Sequence, residues 1–372
     1  MGLTPIGIDE FPVHQAPLSL ARVGTGDRNF YDRCYLNAHD RTGDIFFVTG
    51  MGFYPNLGVR DAYATVRTGD RQVSLRLSDA LDERSTEQRV GPYRIEVLDP
   101  LRSLRLVCDH PSLGFDLMWE GSFPAVLEQP HVMLTGSRPI LDAQRFAQVG
   151  TWSGFLNVEG TDHEVSPDRW VGTRDRSWGI RPVGEAEPPG RWADEQSDGF
   201  WWLYVPLRFD DFAVILVLQE SPDGFRTLND AVRIDPGGAV EQLGWPRIQI
   251  DYQEGTRLPT AARMQLTRAD GSDLRLEIEP LGYVALHVGC GYGGDPDWSH
   301  GQWLGRDHAS VHTFDYSDPS VSSRVPWGVI DHVAKATCDG QTGYGLFEHA
   351  SMGRHDPSGF ADWMSVAPGE DA

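Results

Sequence analysis

The stretch "ARMQLTRADGSDLRLEIEP", residues 262–280, decides the fold class. Apolar and polar side chains alternate on both sides of Asp270–Gly271. Alternation with a period of two places the apolar side chains on one face of a β-strand. An Asp-Gly pair between two such runs is typical of a tight hairpin turn. The stretch therefore predicts two antiparallel strands joined by a short turn.

The same alternation recurs along the chain. It is present in "VSLRLSD" (73–79), "YRIEVLD" (93–99) and "RIQIDY" (247–252), and 41 glycines and 25 prolines interrupt the sequence at short intervals. No long stretch shows the periodicity of an amphipathic helix. Short strands separated by frequent turns favour β-sandwiches and β-barrels over parallel α/β layers. The sequence therefore predicts an all-β protein.

The length of the chain indicates two domains, because 372 residues exceed what one core ordinarily organises. The best linker candidate is "PVGEAEPPGRWADEQSDG" (182–199), where proline, glycine and acidic residues replace the alternation. We therefore predict an N-terminal domain over residues 1–190 and a C-terminal domain over 191–372. Each has room for about eight strands, enough to close a barrel of lipocalin size. The prediction is two tandem lipocalin-like β-barrel or sandwich domains.

Composition excludes several classes of partner and location. The chain has 32 Lys and Arg against 54 Asp and Glu, a formal net charge of −22, so nucleic acid and anionic lipid surfaces are poor partners. The N-terminus lacks the basic and apolar regions of a signal peptide, and no apolar run reaches the roughly 18 residues of a membrane helix. We expect a cytoplasmic protein without membrane insertion. The sequence makes no prediction of oligomeric state.

The sequence gives little support for a metal site, a phosphate-binding loop or a serine-hydrolase site. The four cysteines are far apart, without a C-x-x-C pair. His308 and His312 lie in "DHASVHTFD" (307–315), which lacks the helical periodicity that would direct both rings to one point. "GCGYGG" (289–294) has no P-loop lysine, and no G-x-S-x-G is present. We predict neither a metal nor an organic cofactor. We interpret 291–328 as an irregular insertion that forms a rim or lid.

The stretch "VGTRDRSWG" (171–179) contains the first candidate acid. In an extended strand Arg174, Arg176 and Trp178 share one face and Asp175 lies on the other, so the arginines cannot neutralise Asp175 within the strand. In a structural interpretation, an arginine stacks on tryptophan at a barrel end and Asp175 bonds turn amides. In a functional interpretation, an apolar cavity raises the pKa of Asp175 and lets it deliver a proton. We take Asp175 and Arg174 as catalytic candidates and Trp178 as a substrate contact.

The stretch "TGYGLFEHAS" (342–351) contains the second candidate acid. Tyr344 and Glu348 share one face of the predicted strand, and Phe347 and His349 share the other. Glu348 among apolar neighbours is a catalytic candidate; the alternative is a salt bridge across the sheet. His349 either orients a polar group of the substrate or caps a loop. Tyr344, Phe347 and His349 are substrate-binding candidates.

The run "GFWWLYVPL" (199–207) is apolar on both faces. A strand buried on both sides fits a position between two domains, where a ligand cleft commonly forms. Trp201, Trp202 and Tyr204 are therefore candidates for substrate binding, as is Tyr63 in the first domain. Their alternative role is packing. In a cavity, aromatic faces would stabilise developing positive charge.

Three motifs together carry a family resemblance. "GFYPNLGVRDAY" (52–63), "GTRDRSWG" (172–179) and "GYGLFEHASMGRHDPSGF" (343–360) resemble, in order and spacing, the AttH/carotenoid hydratase-like family. The resemblance implies two lipocalin-like domains in tandem and a similarity to carotenoid and phytoalexin hydratases and to fungal decalin-forming Diels–Alderases. In the hydratases the central motif tends to read Asp-His-Asn-Trp-Gly. Here Asp175, Trp178 and Gly179 match, but Arg176 and Ser177 replace the histidine and asparagine, which removes an imidazole proton relay.

These observations lead to one functional hypothesis and one rival. We expect a cofactor-independent enzyme that acts on a hydrophobic isoprenoid-, steroid- or polyketide-like small molecule. The reaction would be acid-assisted hydration or dehydration, isomerisation or cyclisation in an apolar cavity. The rival is a non-catalytic carrier that binds a hydrophobic small molecule in the same cavity. A protein whose cavities are filled by its own side chains is a third possibility. The enzyme is the leading hypothesis, and the sequence does not choose among its four possible reactions.

Overall fold

The computed structural model describes residues 4–12, 23–82, 86–186 and 198–369. In these residues the chain is nearly all β-structure, so the predicted fold class is confirmed. The strands are β1 (Phe30–His39), β2 (Ile45–Tyr54), β3 (Val59–Thr68), β4 (Arg71–Ala80), β5 (Gln88–Val90), β6 (Tyr93–Asp99), β7 (Ser103–Cys108), β8 (Leu113–Gly121), β9 (Val126–Leu127), β10 (His131–Thr135), β11 (Arg138–Val158), β12 (Thr161–Val165), β13 (Val171–Ile180), β14 (Gly199–Arg208), β15 (Ala213–Glu220), β16 (Arg226–Ile234), β17 (Val240–Gln242), β18 (Gly244–Tyr252), β19 (Pro259–Thr267), β20 (Asp273–Ala285), β21 (His308–Asp315), β22 (Ile330–Cys338) and β23 (Gln341–Gly353). The helical segments are α1 (Pro319–Ser322) and the 3-10 turns Gly7–Glu10, Val325–Trp327 and Asp356–Ser358.

The strands form two antiparallel sheets. The larger sheet has fourteen strands and runs β21-β4-β3-β2-β1-β13-β11-β8-β7-β6-β5, with β9, β10 and β12 also paired to β11. The smaller sheet has nine strands and runs β17-β16-β15-β14-β23-β22-β20-β19-β18. Both curve as lipocalin-like sheets do, and the hairpin predicted over 262–280 is β19–β20, with Thr267 opposite Asp273.

Three apolar cores alternate with the two sheets. One fills the concave side of the larger sheet, and another fills that of the smaller sheet. The third, the middle core, takes side chains from both sheets and lies between them. Strand β14 faces two of these cores, because Trp202 and Tyr204 point to the middle core while Trp201 and Leu203 point into the smaller sheet. This arrangement explains why "GFWWLYVPL" is apolar on both faces, as predicted.

The predicted domain boundary at 190/191 lies in residues 187–197, outside the described part of the chain. The division into residues 1–190 and 191–372 therefore stays a prediction. Sheet membership does not follow it completely, because β21 lies in the second half of the sequence but pairs with β4 of the larger sheet.

The segment 291–328 is more ordered than expected. The prediction of an irregular insertion is wrong, because residues 308–315 form β21 and residues 319–322 form α1. The beginning of the segment is held to the larger sheet by the buried Arg76, which pairs with Asp295 at 2.8 Å and Asp297 at 3.1 Å. These ion pairs fix the loop that carries Tyr292 and His300. Among the described residues, no helix has the length and apolar character needed to cross a bilayer.

Candidate active site

A cavity of about 150 Å³, the inner cavity, lies between the two sheets. Its walls come mainly from β1, β11 and β13 of the larger sheet and β14 and β23 of the smaller one. Six charged side chains line it: Arg33, Glu128, Arg145, Asp175, Arg181 and Glu348. Apolar walls are supplied by Met133, Leu141, Phe200 and Trp202 among others. The predicted apolar cavity therefore has a mixed wall, in which apolar side chains lie beside six charged ones. It forms between the two sheets and not inside one barrel.

Asp175 lines the inner cavity from the middle of β13. In the sheet it lies between Tyr35 of β1 and Ala147 of β11. Burial raises the pKa of Asp175 to about 6; attraction to Arg145 opposes this shift and repulsion from Glu348 adds to it. A carboxyl group with this pKa can give or take a proton near neutral pH.

The two neighbouring candidates on the same strand lie elsewhere. Arg174 points to the opposite side of β13, where it pairs with Glu10 at 2.5 Å and donates to Gln148 at 2.8 Å. Trp178 belongs to the same face as Arg174. The structure thus separates the arginine from Asp175, as the alternation predicted, and Arg174 does not line the inner cavity. The structural interpretation therefore fits Arg174, and the position of Asp175 at the cavity wall fits the functional interpretation.

Glu348 also lines the inner cavity, and it lies beside a third acid. Strand pairing sets Glu348 opposite Asp331 on one side and opposite Tyr204 on the other. The indole nitrogen of Trp202 donates to Glu348. No arginine or lysine among the described residues forms an ion pair with Glu348, so the predicted alternative of a salt bridge is absent there.

Asp331 is completely buried, and its pKa lies well above the ordinary value. Burial is the largest cause, and repulsion from Glu348 is the next. The hydroxyl of Tyr35 donates to one oxygen of Asp331, and a hydrogen bond between the carboxyl groups of Asp331 and Glu348 also contributes to the raised pKa. Repulsion from Glu348 therefore adds to burial in favouring the protonated form of Asp331. We call Asp175, Asp331 and Glu348 the carboxyl cluster.

Asp331 was not predicted from the sequence. It lies in "GVIDHVAKATC" (328–338), where Ile330, Val333 and Ala334 indicate a buried strand. An acid in such a strand is a signal of function or of a buried ion pair. However, Lys335 on the same face suggests solvent exposure, and nothing in the sequence shows that β22 pairs with β23 in the register that places Asp331 opposite Glu348.

Trp202 is the predicted aromatic residue that lines the inner cavity. Its ring stacks against His131 with centroids 5.4 Å apart and lies parallel to Phe200 at 6.5 Å. Tyr204 lies next to the cavity wall, with the Arg145 guanidinium 4.5 Å from its ring centroid. Tyr63 lies behind Tyr292, with the two hydroxyl oxygens 3.4 Å apart. These two tyrosines therefore support wall residues and do not line the cavity.

The other predicted aromatic contacts are distant from the inner cavity. Trp201, Phe347 and His349 lie on the opposite faces of β14 and β23, inside the smaller sheet. His349 bonds the carbonyl oxygen of Trp202 at 2.7 Å, and burial lowers its pKa to about 3, so the ring is neutral. Tyr344 lies further along β23, 5.3 Å from the Arg41 guanidinium.

Glu128 and Arg145 form an ion pair in the cavity wall that the sequence did not reveal. Their side chains approach to 2.6 Å. Burial outweighs the attraction of Arg145 and raises the pKa of Glu128 to about 7. Arg145 therefore influences two carboxyl groups of the site, since its charge also stabilises ionised Asp175.

Among the described residues, no group of three or more His, Cys, Asp or Glu side chains is arranged to hold a metal ion. His308 and His312, the spaced histidines of the sequence, each bond the hydroxyl of Ser310 between them. The four cysteines are buried and unpaired with one another.

A family profile matches residues 6–361, nearly the whole chain. The chain belongs to the family of unknown function DUF8625. No curated protein matches the sequence. Solved structures show the architecture of this DUF8625 protein in more distant relatives. It is similar to a protein designated AttH from Nitrosomonas europaea, with 13% identity and a TM-score of 0.53 over 86% of this chain and 92% of that one.

Two further structures resemble this DUF8625 protein. CghA, determined with Sch210972, is 12% identical with a TM-score of 0.52, over 88% of this chain and 89% of that one. Kievitone hydratase from Nectria haematococca is 14% identical with a TM-score of 0.48, over 86% and 88% of the two chains. The resemblance to the AttH-like family is therefore confirmed, and at these identities it is a likeness of fold.

Proposed function

We propose that this protein is a cofactor-independent enzyme that converts a largely hydrophobic small molecule by proton transfer in the inner cavity. The reaction class is hydration or dehydration, isomerisation or cyclisation of an isoprenoid-, steroid- or polyketide-like compound. One observation carries the proposal. Asp175, with its pKa raised to about 6, lines the same cavity as Glu348, and the buried Asp331 lies opposite Glu348 on the neighbouring strand. The CghA structure with Sch210972 supports a ligand-binding role for this fold.

Within the carboxyl cluster, Asp175 acts as the proton donor and Glu348 as the proton acceptor. Protonated Asp175 donates its proton to an alkene carbon or a hydroxyl oxygen of the substrate, and the substrate gains positive charge. The Trp202 ring and the Glu348 carboxylate stabilise that charge, since both line the same cavity. When an alkene carbon is protonated, loss of a neighbouring proton to Glu348 gives an isomer. When a hydroxyl oxygen is protonated, water leaves and loss of a neighbouring proton to Glu348 gives the dehydrated alkene. Attack on the cation by water or by a second alkene, followed by loss of a proton to Glu348, gives a hydrated or cyclised product.

The test uses wild-type protein, Asp175→Asn and a matched control, Asp251→Asn, whose carboxyl is exposed and paired with Arg263 at 2.8 Å. Each is incubated in D2O with a panel of isoprenoid, steroid and polyketide alkenes and tertiary alcohols. Mass spectrometry measures carbon-bound deuterium and gain or loss of water. We expect Asp175→Asn to lower the rate by about 100-fold or more, because general acid catalysis contributes that much, and Asp251→Asn to leave it unchanged.

Two outcomes contradict the proposal. If Asp175→Asn, Asp331→Asn and Glu348→Gln all convert the substrate at the wild-type rate, the carboxyl cluster has no role in the reaction. A wild-type protein that binds members of the panel but converts none of them, and that retains unmodified compounds when extracted from cells, would be a carrier.

A further inference from the structure

Two arginines lie at the junction between the inner cavity and a second, larger pocket. Arg33 and Arg181 line both spaces, together with Tyr292. The second space, the outer pocket, has a volume of about 690 Å³ and is bordered by Asn29 and Val183 among others. A molecule that extends from one space into the other must therefore pass these two guanidinium groups.

Arg33 is a buried cation without a carboxylate partner. It is 5% exposed, and its guanidinium donates to Nδ1 of His300. Burial and the neighbouring Arg33 lower the pKa of His300 well below its ordinary value, so the imidazole is neutral. Among the described residues no Asp or Glu lies within ion-pair distance of Arg33. The Tyr292 ring lies 4.8 Å from the Arg33 guanidinium. Because arginine remains protonated in proteins, its charge still has no carboxylate counter-charge within ion-pair distance.

The other fully buried arginines of the described chain differ from Arg33 in this respect. Each has carboxylate or carbonyl acceptors for part of its guanidinium group. Their partners are carboxylates in three cases and backbone carbonyl oxygens in the fourth: Arg76 with Asp295, Arg174 with Glu10, Arg176 with Asp32, and Arg257 with Ser351, Gly353, Asp362 and Ser365. The fold therefore pairs its structural arginines, and Arg33 is the exception on the cavity wall.

The nearest acid behind Arg33 is already engaged by other groups. Asp61 accepts hydrogen bonds from the Gly301 amide at 2.6 Å and the Tyr54 hydroxyl at 3.1 Å. The charge of Arg33 lowers the pKa of Asp61, but burial dominates and raises it to about 7. Asp61 thus senses Arg33 at a distance and makes no ion pair with it.

Arg181 is the second cation of the junction. It follows directly after β13, is half-buried and lies with its guanidinium 5.6 Å from the ring centroid of Tyr31. It has no ion pair with a described residue. Both arginines act on Asp175, because each lowers the pKa of that carboxyl. The two guanidinium groups therefore face the same space as the carboxyl cluster.

We propose that Arg33 and Arg181 form an anion subsite that binds a carboxylate group of the substrate. Guanidinium groups match the two oxygens of a carboxylate with paired hydrogen bonds, and the interaction is strong where water is scarce. The apolar part of the same molecule then lies in the inner cavity against Phe200 and Trp202, next to Asp175. The assignment of the ligand as a substrate rests on the proposed function; the anion subsite itself does not.

The binding experiment compares acids with alcohols of the same carbon skeleton. The probes are geranate and geraniol, 4-phenylbutyrate and 4-phenylbutanol, and octanoate and octanol, with affinity measured by calorimetry and tryptophan fluorescence. We expect the wild type to bind the acid of at least one pair about tenfold or more tightly than its alcohol, a preference typical of charge-assisted hydrogen bonds. Arg33→Gln and Arg181→Gln should each reduce that preference to about twofold or less. Arg263→Gln, at an exposed pair with Asp251, should retain it.

A second measurement needs no ligand and covers the case in which Arg33→Gln folds poorly. Arg33→Met should have a melting temperature equal to or above that of the wild type, because it removes an unpaired buried charge. Arg176→Met should melt lower, because it removes the buried ion pair with Asp32. An equal decrease in the melting temperature of both variants would show that groups of the protein itself compensate the charge of Arg33. That result would overturn the proposal.

The binding outcomes separate this proposal from the proposed function. Acids that bind no better than alcohols in all three pairs, or that do not bind at all, overturn the anion subsite. Asp175→Asn should keep the preference for acids even when turnover is lost. A retained preference without turnover in any protein would therefore contradict the enzyme and leave the subsite supported.

Discussion

Replacing Asp175 by asparagine is expected to stabilise the protein more at about pH 8 than at about pH 5. Burial holds the pKa of Asp175 at about 6 in the folded protein, against an ordinary value of 3.8. Between these two values the folded protein binds more protons than the unfolded chain, so the stability of the wild type falls as the pH rises through this window. Asparagine does not titrate, so the variant lacks this contribution.

The size of the effect follows from the shift of about two pKa units. Each unit corresponds to about 1.4 kcal/mol, so ionising Asp175 costs the folded state about 3 kcal/mol at pH 8. At pH 5 the carboxyl is mostly protonated in the folded protein, and the cost is only about 1.6 kcal/mol. The advantage of Asp175→Asn should therefore grow by about 1.4 kcal/mol between the two pH values.

Urea unfolding followed by tryptophan fluorescence measures this difference. Wild type, Asp175→Asn and the exposed control Asp251→Asn are compared at both pH values, and the control should show no such growth. The buried carboxyl Asp61 titrates in all three proteins, so its contribution cancels. Removing the charge of Asp175 also relieves its repulsion of Glu128 and Asp331, which acts in the same direction. An advantage of Asp175→Asn that is the same at both pH values, or that shrinks at the higher one, would refute the assignment of a raised pKa to Asp175.

Three further predictions concern other parts of the fold. Arg174→Met should lower the free energy of unfolding by about 3–5 kcal/mol in urea, because it leaves a buried acidic partner unpaired, without changing ligand binding in the inner cavity. Gly291→Ala should lower the melting temperature clearly more than Gly293→Ala. Both glycines have a φ of +82°, but only at Gly291 would the added methyl group lie 2.6 Å from the His300 ring. The four cysteine thiols are buried, and the pKa of Cys290 is raised to about 12, so maleimide should label none of them in the native protein and all four in the denatured protein. Mass spectrometry measures the labelling, and labelling of the native form would contradict their burial.

Alternation along single strands made much of the fold predictable. The hairpin over 262–280 and the burial of β14 on both faces follow from which side chains repeat every second position. The same rule separated Asp175 from Arg174, because neighbours on a strand must point to opposite faces. It could not assign Asp331, since the pairing of Asp331 with Glu348 depends on the register between two strands.

The character of the inner cavity could not be predicted for a related reason. Arg33, Glu128 and Arg145 come from different strands and loops, and only the packing of one sheet on the other brings them to one space. Nothing in a single sequence shows which buried charges find partners. The interpretation of 291–328 failed because β21 adds to the edge of a sheet formed by the other half of the chain, a contact with no local signal.

The middle core has a consequence for how this family can diversify. The inner cavity, with its carboxyl and guanidinium groups, lies between the cores of the larger and smaller sheets. Substitutions of its lining residues can therefore leave both of those cores unchanged. Neither sheet supplies all the walls of the inner cavity. The proposed proton transfer would therefore depend on how the two sheets pack against each other.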